Sequence, residues 1–332
     1  MKLDKLFCDG VVFAEGKPVR VFGEGDGEVT VALCGAERTV ASQNGKWLAE
    51  LPAMGCGGPY ELEVSCGNTV TLVKDVYVGR VILVAGQSNA EFPLSSSDEP
   101  ETGYLSDPLL RNFFVPRPWH DPDPASPGAG WQTASKDAVG AWSAIAYLAG
   151  REIRRQTGLA VGVITCAQSA SVIESWLPPA AARSFALDKE LLMGDHVDPA
   201  YSAWNRAGVI YGEMLSPLFP VSLSGVIWYQ GESDTSCAEG EIYDEELLLL
   251  IRTVRAGVND PALPFAVVQI ADYDGRRECD PEGWRSVQAA QERAVKRDFH
   301  STLIISKDVC DSGCIHPAQK TELSRRAARA LL

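Results

Sequence analysis

Val81-Ile82-Leu83-Val84-Ala85-Gly86-Gln87-Ser88-Asn89 is a short apolar run that ends in a glycine, an amide, a hydroxyl and a second amide. A continuous run of this kind reads as a strand buried on both faces, as in a parallel sheet with helices on both sides. In such sheets ligands bind at the carboxyl ends of the strands. Gly86 lets the backbone turn tightly and leaves Ser88 facing open space. A serine there is well placed as a nucleophile if a base reaches it. The second glycine of the G-x-S-x-G elbow is missing, which disfavours a standard α/β-hydrolase. On these residues alone, a serine that caps the start of a helix explains Ser88 at least as well.

Working outward toward the C-terminus, further apolar strands are expected at 160–165, 225–229, 264–270 and 302–305. Helical patterns alternate with them: 141–156, closed by Gly158; 242–256, closed by Gly257; 284–297; and 318–332, opened by Pro317. Strand alternating with helix implies a mostly parallel sheet in a three-layer α/β/α arrangement. Residues 93–137 hold eight prolines and few long apolar runs, and read as an extended loop that shapes a binding site. Toward the N-terminus the pattern changes. Short β-rich stretches at 11–13, 19–22, 29–33, 60–64 and 69–73 are separated by turns such as Gln43-Asn44-Gly45-Lys46. The expectation is a small all-β sandwich over residues 1–78, followed by an α/β domain over 79–332.

The composition excludes several functions. With 30 Lys+Arg against 44 Asp+Glu, the net charge is −14, which repels phosphate backbones and anionic lipid. Nucleic acid and membrane surfaces are therefore not expected partners. His120, His196, His300 and His316 are the only histidines, without metal spacing, and the nine cysteines form no CxxC pair, so neither metal nor cofactor is expected. Scattered cysteines fit small buried hydrophobes in a reducing compartment. Met1-Lys2-Leu3-Asp4-Lys5 lacks the apolar core of a signal peptide. If residues 1–332 are the whole chain, the expectation is a cytoplasmic protein.

Two more segments place polar residues at strand ends. Trp228-Tyr229-Gln230-Gly231-Glu232-Ser233 offers the Gln230 amide, a close backbone approach at Gly231 and a carboxylate at Glu232. An amide N–H aimed at a developing oxyanion is one stabilising device; a helix-capping turn is the plainer alternative. Ile315-His316-Pro317 fixes a histidine on a loop after the strand at 302–305. A lone histidine is more often structural, but three such segments at one sheet edge favour chemistry.

Gly-Gln-Ser-Asn at 86–89, Trp-Tyr-Gln-Gly-Glu-Ser at 228–233 and Ile-His-Pro at 315–317 together resemble the sialate O-acetylesterase family within the SGNH/GDSL hydrolase superfamily. Phe7-Cys8-Asp9-Gly10-Val11-Val12-Phe13 and Val76-Tyr77-Val78-Gly79 look like the same family's N-terminal β domain. The resemblance implies an SGNH-like fold and hydrolysis of acetyl esters on carbohydrate hydroxyls through an acyl-serine. Ser88 becomes the nucleophile and His316 the general base. Gln87, Asn89, Ser169, Ala170, Gln230, Gly231 and Glu232 become oxyanion or binding residues. The oxyanion donors would be the Ser88 N–H, an N–H of the 169–170 loop, and the Gln230 amide or Gly231 N–H.

Two departures stand out. The family usually has Gly-Gly-Thr where this chain has Ser169-Ala170-Ser171, ahead of Glu174 and Trp176. A positive φ there would cost an L-residue about 1 kcal/mol. Relatives also often carry Asp two or three residues before the histidine, where this chain has Cys314 and Gly313. The acid's task is to hold the imidazole and stabilise the imidazolium. Asp311, five residues back, is the nearest carboxylate, and Asp308 lies further off. The expected centre is a Ser-His dyad supported by Asp311 or a backbone carbonyl. Glu174 and Glu232 are not read as a glycosidase pair but as loop supports that accept backbone N–H bonds. Arg117, Arg206 and Arg285 are the candidates to meet a sialate carboxylate. An acetylxylan esterase, or a glycan-binding protein with a weakened site, are the competing readings.

Overall fold

The computed structural model describes residues 1–120, 128–185, 201–274 and 281–332. Seven strands come first: β1 (Lys2–Leu3), β2 (Val12–Ala14), β3 (Val19–Glu24), β4 (Glu28–Leu33), β5 (Ala36–Ala41), β6 (Lys46–Leu51) and β7 (Gly57–Cys66). β1, β3 and β6 make a three-stranded antiparallel sheet. β4 pairs with β5 and β7, which bring their own sheet against it. The alternation in β6, with Trp47, Ala49 and Leu51 buried and Lys46, Leu48 and Glu50 outward, is the one-wet-face pattern of such a layer. β5 and β6 fall where the sequence shows mainly a turn; β5, Ala-Glu-Arg-Thr-Val-Ala, carries too few apolar residues to announce itself.

β8 (Thr69–Gly86) is an 18-residue strand that runs out of this unit into the centre of the second sheet. The boundary expected at residue 78 lies inside it. Its first half pairs with β7 and β2, and its second half with β11 (Val161–Ala167) and β12 (Gly225–Tyr229). The remaining strands are β9 (Asp107–Phe114), β10 (Trp131–Ala134), β13 (Phe265–Val268) and β14 (Ser301–Ile304). The order is β10-β9-β11-β8-β12-β13-β14, parallel throughout except at the β10 edge. β9 and β10 occupy the proline-rich stretch expected to be loop. Proline is tolerated at the start of a strand, and Pro108 sits at the second position of β9.

Helices α1 (Ser88–Glu91), α2 (Ala144–Thr157), α3 (Pro179–Phe185), α4 (Cys237–Val258), α5 (Pro281–Lys296) and α6 (Thr321–Ala330) complete the fold. α2 and α6 cover one face of the sheet, and α4 and α5 the other. Along β8, Val81, Leu83 and Ala85 belong to the core beneath α4 and α5, whereas Ile82 and Val84 belong to the core beneath α2 and α6. This is the three-layer α/β/α arrangement expected, and each fully buried Val, Leu or Ile contributes about 1.5–3 kcal/mol. α2 starts at the Ser143 cap, whose side chain accepts the Ala146 N–H, and stops at Gly158. α6 starts at Thr321, later than Pro317 suggests, because residues 317–320 belong to the loop that carries His316.

The cysteines correct an expectation. Of the seven whose side chains are described, all free, only Cys166 is buried; Cys34, Cys56 and Cys314 are exposed. Their places in turns outweigh their apolar character. No helix among the described residues is long and apolar enough to cross a membrane.

Candidate active site

The register aligns three strand ends. Gly86 of β8 lies beside Ala167 of β11 and Tyr229 of β12. The next residue in each case is a glutamine: Gln87, Gln168 and Gln230, all buried. They knit the strand ends together. The Gln87 N–H donates to Tyr229 O at 3.0 Å, and the Gln168 N–H to Gly86 O at 3.0 Å. Gln87 Oε1 accepts the N–H groups of Gly231 at 3.2 Å and Ser233 at 3.3 Å. Gly86 must be glycine: its φ is +141°, and a Cβ would stand 2.0 Å from Tyr229 O.

The turn at Gly86 puts Ser88 at the start of α1. The loop after β14 brings His316 to it, with Nε2 2.8 Å from Ser88 Oγ. The two residues are 228 positions apart in sequence. His316 is half-buried. Desolvation first, and the nearby Lys320 ammonium second, hold its pKa below the ordinary imidazole value. At neutral pH the ring is therefore neutral and can accept a proton from Ser88.

Asn89 follows Ser88 and is buried. Its Nδ2 donates to Glu232 Oε1 at 2.6 Å and to Ile315 O at 3.0 Å, while its Oδ1 accepts from Lys320 Nζ at 2.9 Å. Burial raises the Glu232 pKa above the usual carboxylate value. As a loop support, Glu232 accepts from the Asn89 side chain as well as from its own backbone N–H.

The 168–172 loop also approaches from β11. Ala170 has φ +51°, so the left-handed conformation is required and an alanine adopts it. Asn205 spans this loop, donating to Ala170 O at 2.6 Å and accepting the Val172 N–H at 3.1 Å. Ser169 donates its hydroxyl to Glu91, which is ion-paired with Arg117 at 2.7 Å. Among the described residues, no backbone–backbone bond takes up the N–H groups of Ser88, Ser169 or Ala170.

Three expectations are corrected by this geometry. Gln230 does not offer its amide to an oxyanion. Its Nε2 donates to Ser171 O at 2.9 Å and to Asp234, and its Oε1 accepts from Tyr243 at 2.8 Å. The Gly231 N–H is likewise taken by Gln87. Asp311 is not brought to His316: it is exposed, and its Oδ1 accepts the N–H of Gly313 at 2.9 Å. The local turn wins because a carboxylate two residues from a free N–H closes on it at little entropic cost. Asp308 pairs with Arg326 at 2.7 Å. Cys314 donates its thiol to the His316 carbonyl at 3.3 Å, not to the ring. Arg117 is buried and committed to Glu91, while Arg206 and Arg285 are exposed. Glu174 is buried beside the fully buried Trp176.

Asn205 and Lys320 were missed by sequence reasoning. Lys320 sits four residues after His316, a spacing that reads as an ordinary surface lysine at a helix start. Asn205 lies in a segment with no motif, and only tertiary contact gives it a role. Among the described residues, no three His, Cys, Asp or Glu side chains converge as a metal site.

Residues 78–332 match the family model described as "Carbohydrate esterase, sialic acid-specific acetylesterase". Human sialate O-acetylesterase is 24% identical over 355 aligned residues, which cover 93% of this chain and 66% of the human protein. The mouse protein of the same name is 23% identical, with 92% and 67% covered. The chain thus spans about two thirds of the length of these curated relatives. A carbohydrate acetylesterase from Xanthomonas citri superposes with a TM-score of 0.85 at 29% identity, covering 99% of this chain and 74% of that one. Taken with a serine and a histidine meeting at aligned strand ends, the match identifies the chain as a member of the sialic acid-specific acetylesterase family of carbohydrate esterases.

Proposed function

We propose that the protein hydrolyses acetyl esters on carbohydrate hydroxyls, with Ser88 as nucleophile and His316 as general base. The observation that carries this is the 2.8 Å contact between His316 Nε2 and Ser88 Oγ. Serine is a weak nucleophile until a base takes its proton, and this distance is within the reach such a transfer needs. Ser88 Oγ attacks the acetyl carbonyl while Nε2 accepts the hydroxyl proton. The tetrahedral oxyanion is met by the N–H of Ser88 and an N–H of the 169–170 loop, which make no backbone–backbone bond among the described residues. Collapse expels the sugar oxygen, which takes the proton from His316. Water, deprotonated by the same nitrogen, then attacks the acyl carbon; the bond to Ser88 Oγ breaks, Oγ takes the proton back from His316, and acetate leaves.

The family description supports sialates acetylated on a hydroxyl as the substrate class, with acetylated plant glycans such as xylan as the alternative. Of the three cations considered for a sialate carboxylate, Arg117 is already ion-paired with Glu91. A panel of acetylated sialic acids and acetylated xylo-oligosaccharides separates these. The basic test is p-nitrophenyl acetate hydrolysis by wild type and Ser88→Ala. Loss of about 10³-fold or more in kcat is expected, and equal rates remove Ser88 as nucleophile. The engagement of the Asp311 carboxylate with the Gly313 N–H favours one second reading, a glycan-binding protein with a weakened centre. Sugar binding without turnover of any acetylated sugar would select it.

A further inference from the structure

We infer that Lys320 is a positioning residue which, through Asn89, holds His316 against Ser88 and so does the orienting work that a carboxylate at the imidazole would otherwise do. This rests on the assignment of Ser88 and His316 just proposed.

The geometry is a closed tie between the two reacting residues. Lys320 is fully buried, the only lysine so placed among the described residues. Its Nζ donates to Pro317 O, the carbonyl after His316, and to Asn89 Oδ1 at 2.9 Å. Asn89 Nδ2 in turn donates to Ile315 O at 3.0 Å, the carbonyl before His316. The carbonyls of both neighbours of His316 are therefore gripped, and both grips lead to the residue that follows Ser88. The second hydrogen of Asn89 Nδ2 is fixed by Glu232 Oε1 at 2.6 Å. An ammonium suits the centre of this tie because it brings three donors and no acceptor. Two donors meet oxygens, and the ammonium also lies 4.7 Å from the Phe92 ring centre and 5.5 Å from that of Tyr229. Phe92 also flanks the His316 ring, at 6.5 Å between centres.

A buried lysine is costly, and a methionine or leucine would fill the space without that cost. The tie explains why a charge is kept there. It also separates this centre from a triad in electrostatic sign. A triad carboxylate stabilises the imidazolium, whereas the Lys320 ammonium opposes it. Other ionisable groups face Lys320 from every side: Glu232 after β12, Asp98 before α2, and Cys310 and Cys314 on the His316 loop. Asp98 also accepts the Lys320 backbone N–H at 2.9 Å.

The test uses the full chain and three variants, with kcat and KM on p-nitrophenyl acetate, melting curves, and the His316 imidazole titration followed by NMR. With four histidines in the chain, that signal is assignable by difference from a His316→Gln sample. Lys320→Met is expected to lower kcat at least about tenfold with KM within about twofold, and to move the His316 titration to higher pH. Asn89→Ala breaks the tie but keeps the cation, so kcat falls similarly while the upward movement of the titration is absent. A folded Lys320→Met protein with wild-type kcat and an unmoved titration overturns the inference. If Lys320→Met does not fold, Asn89→Ala decides: wild-type kcat overturns the tie, and a tenfold loss with a near-normal melting curve supports it. Ser88→Ala runs alongside. If it keeps full activity, the proposed function itself fails; if it is inactive, the other outcomes bear on Lys320 and Asn89 alone.

Discussion

Gly86→Ala is the most demanding single perturbation of the strand-end geometry. The added Cβ would lie 2.0 Å from Tyr229 O and 2.6 Å from Tyr229 C. Both belong to backbone, and both sit in the middle of the sheet, where Gly86 faces Tyr229 in register. Reaching even the 3.0 Å limit of tight contact means separating β8 from β12 by about 1 Å (3.0 − 2.0). The φ of +141° adds backbone strain of about 1–3 kcal/mol for an L-residue. Overpacking in a closed core adds about 1–3 kcal/mol more. The total of roughly 2–6 kcal/mol, at about 2–4 °C per kcal/mol for large domains, lowers Tm by on the order of 5–20 °C. Tyr229 O also holds the Gln87 N–H, so the shift passes directly to Ser88, and a 1 Å misplacement costs about 10²-fold in kcat. Gly158→Ala is the control: φ is +71° there too, but nothing stands within 4 Å of the new Cβ. It should cost about 1 kcal/mol and leave kcat unchanged. Calorimetry and p-nitrophenyl acetate kinetics on both variants decide the matter. A Gly86→Ala enzyme with wild-type Tm and kcat would refute the reasoning.

Other consequences are open to measurement. Asp311→Ala should keep kcat within about twofold, since its carboxylate serves only the exposed Gly313 N–H; a loss approaching the roughly 10⁴-fold of a triad acid would mean that it reaches His316 during turnover. Ala170→Gly should raise stability by about 0.5–1 kcal/mol in urea titration, because the strain of φ +51° outweighs the extra freedom glycine gives the unfolded chain. A decrease would show that the alanine methyl contributes packing. The pH dependence has a fixed sign. With His316 as the proposed neutral base, burial first and Lys320 second hold its pKa down, so kcat/KM should rise with pH through a limb below about 6.5. A limb at or above that value would contradict the assigned environment.

Much of this architecture is written in residues that act locally. Four of the five apolar runs became β8, β11, β12 and β13 because a strand buried on both faces needs little more than a continuous apolar run; the fifth became the edge strand β14, where only Ile304 is buried. Ser143 and Gly158 bounded α2 through capping. β9 was hidden because Pro108 and its proline-rich flanks outweighed Leu-Leu-Arg-Asn-Phe-Phe, and β5 because a wet edge strand looks like loop. Ser88 and His316 were legible as polar residues at strand ends. The work of Gln230 was not: a glutamine after a strand reads alike whether its amide faces substrate or closes on Asp234 and Tyr243. Lys320 was illegible for the same reason, since sequence carries no sign of which lysine will lose its water. Asp311 shows the opposite failure, where proximity along the chain suggested a partner that a two-residue turn had already claimed.

β8 has one more consequence. Its 18 residues run on through a left-handed residue, Asp75 (φ +58°), where the pairing with β7 is irregular, so one continuous strand is a member of both halves of the molecule. Neither half can open by itself without fraying the strand that completes the other. The two should melt in a single transition and exchange their innermost amide hydrogens at a common rate. The N-terminal β unit then acts as a foundation for Gly86: its register fixes where the strand ends, and with it the position of the serine two residues beyond.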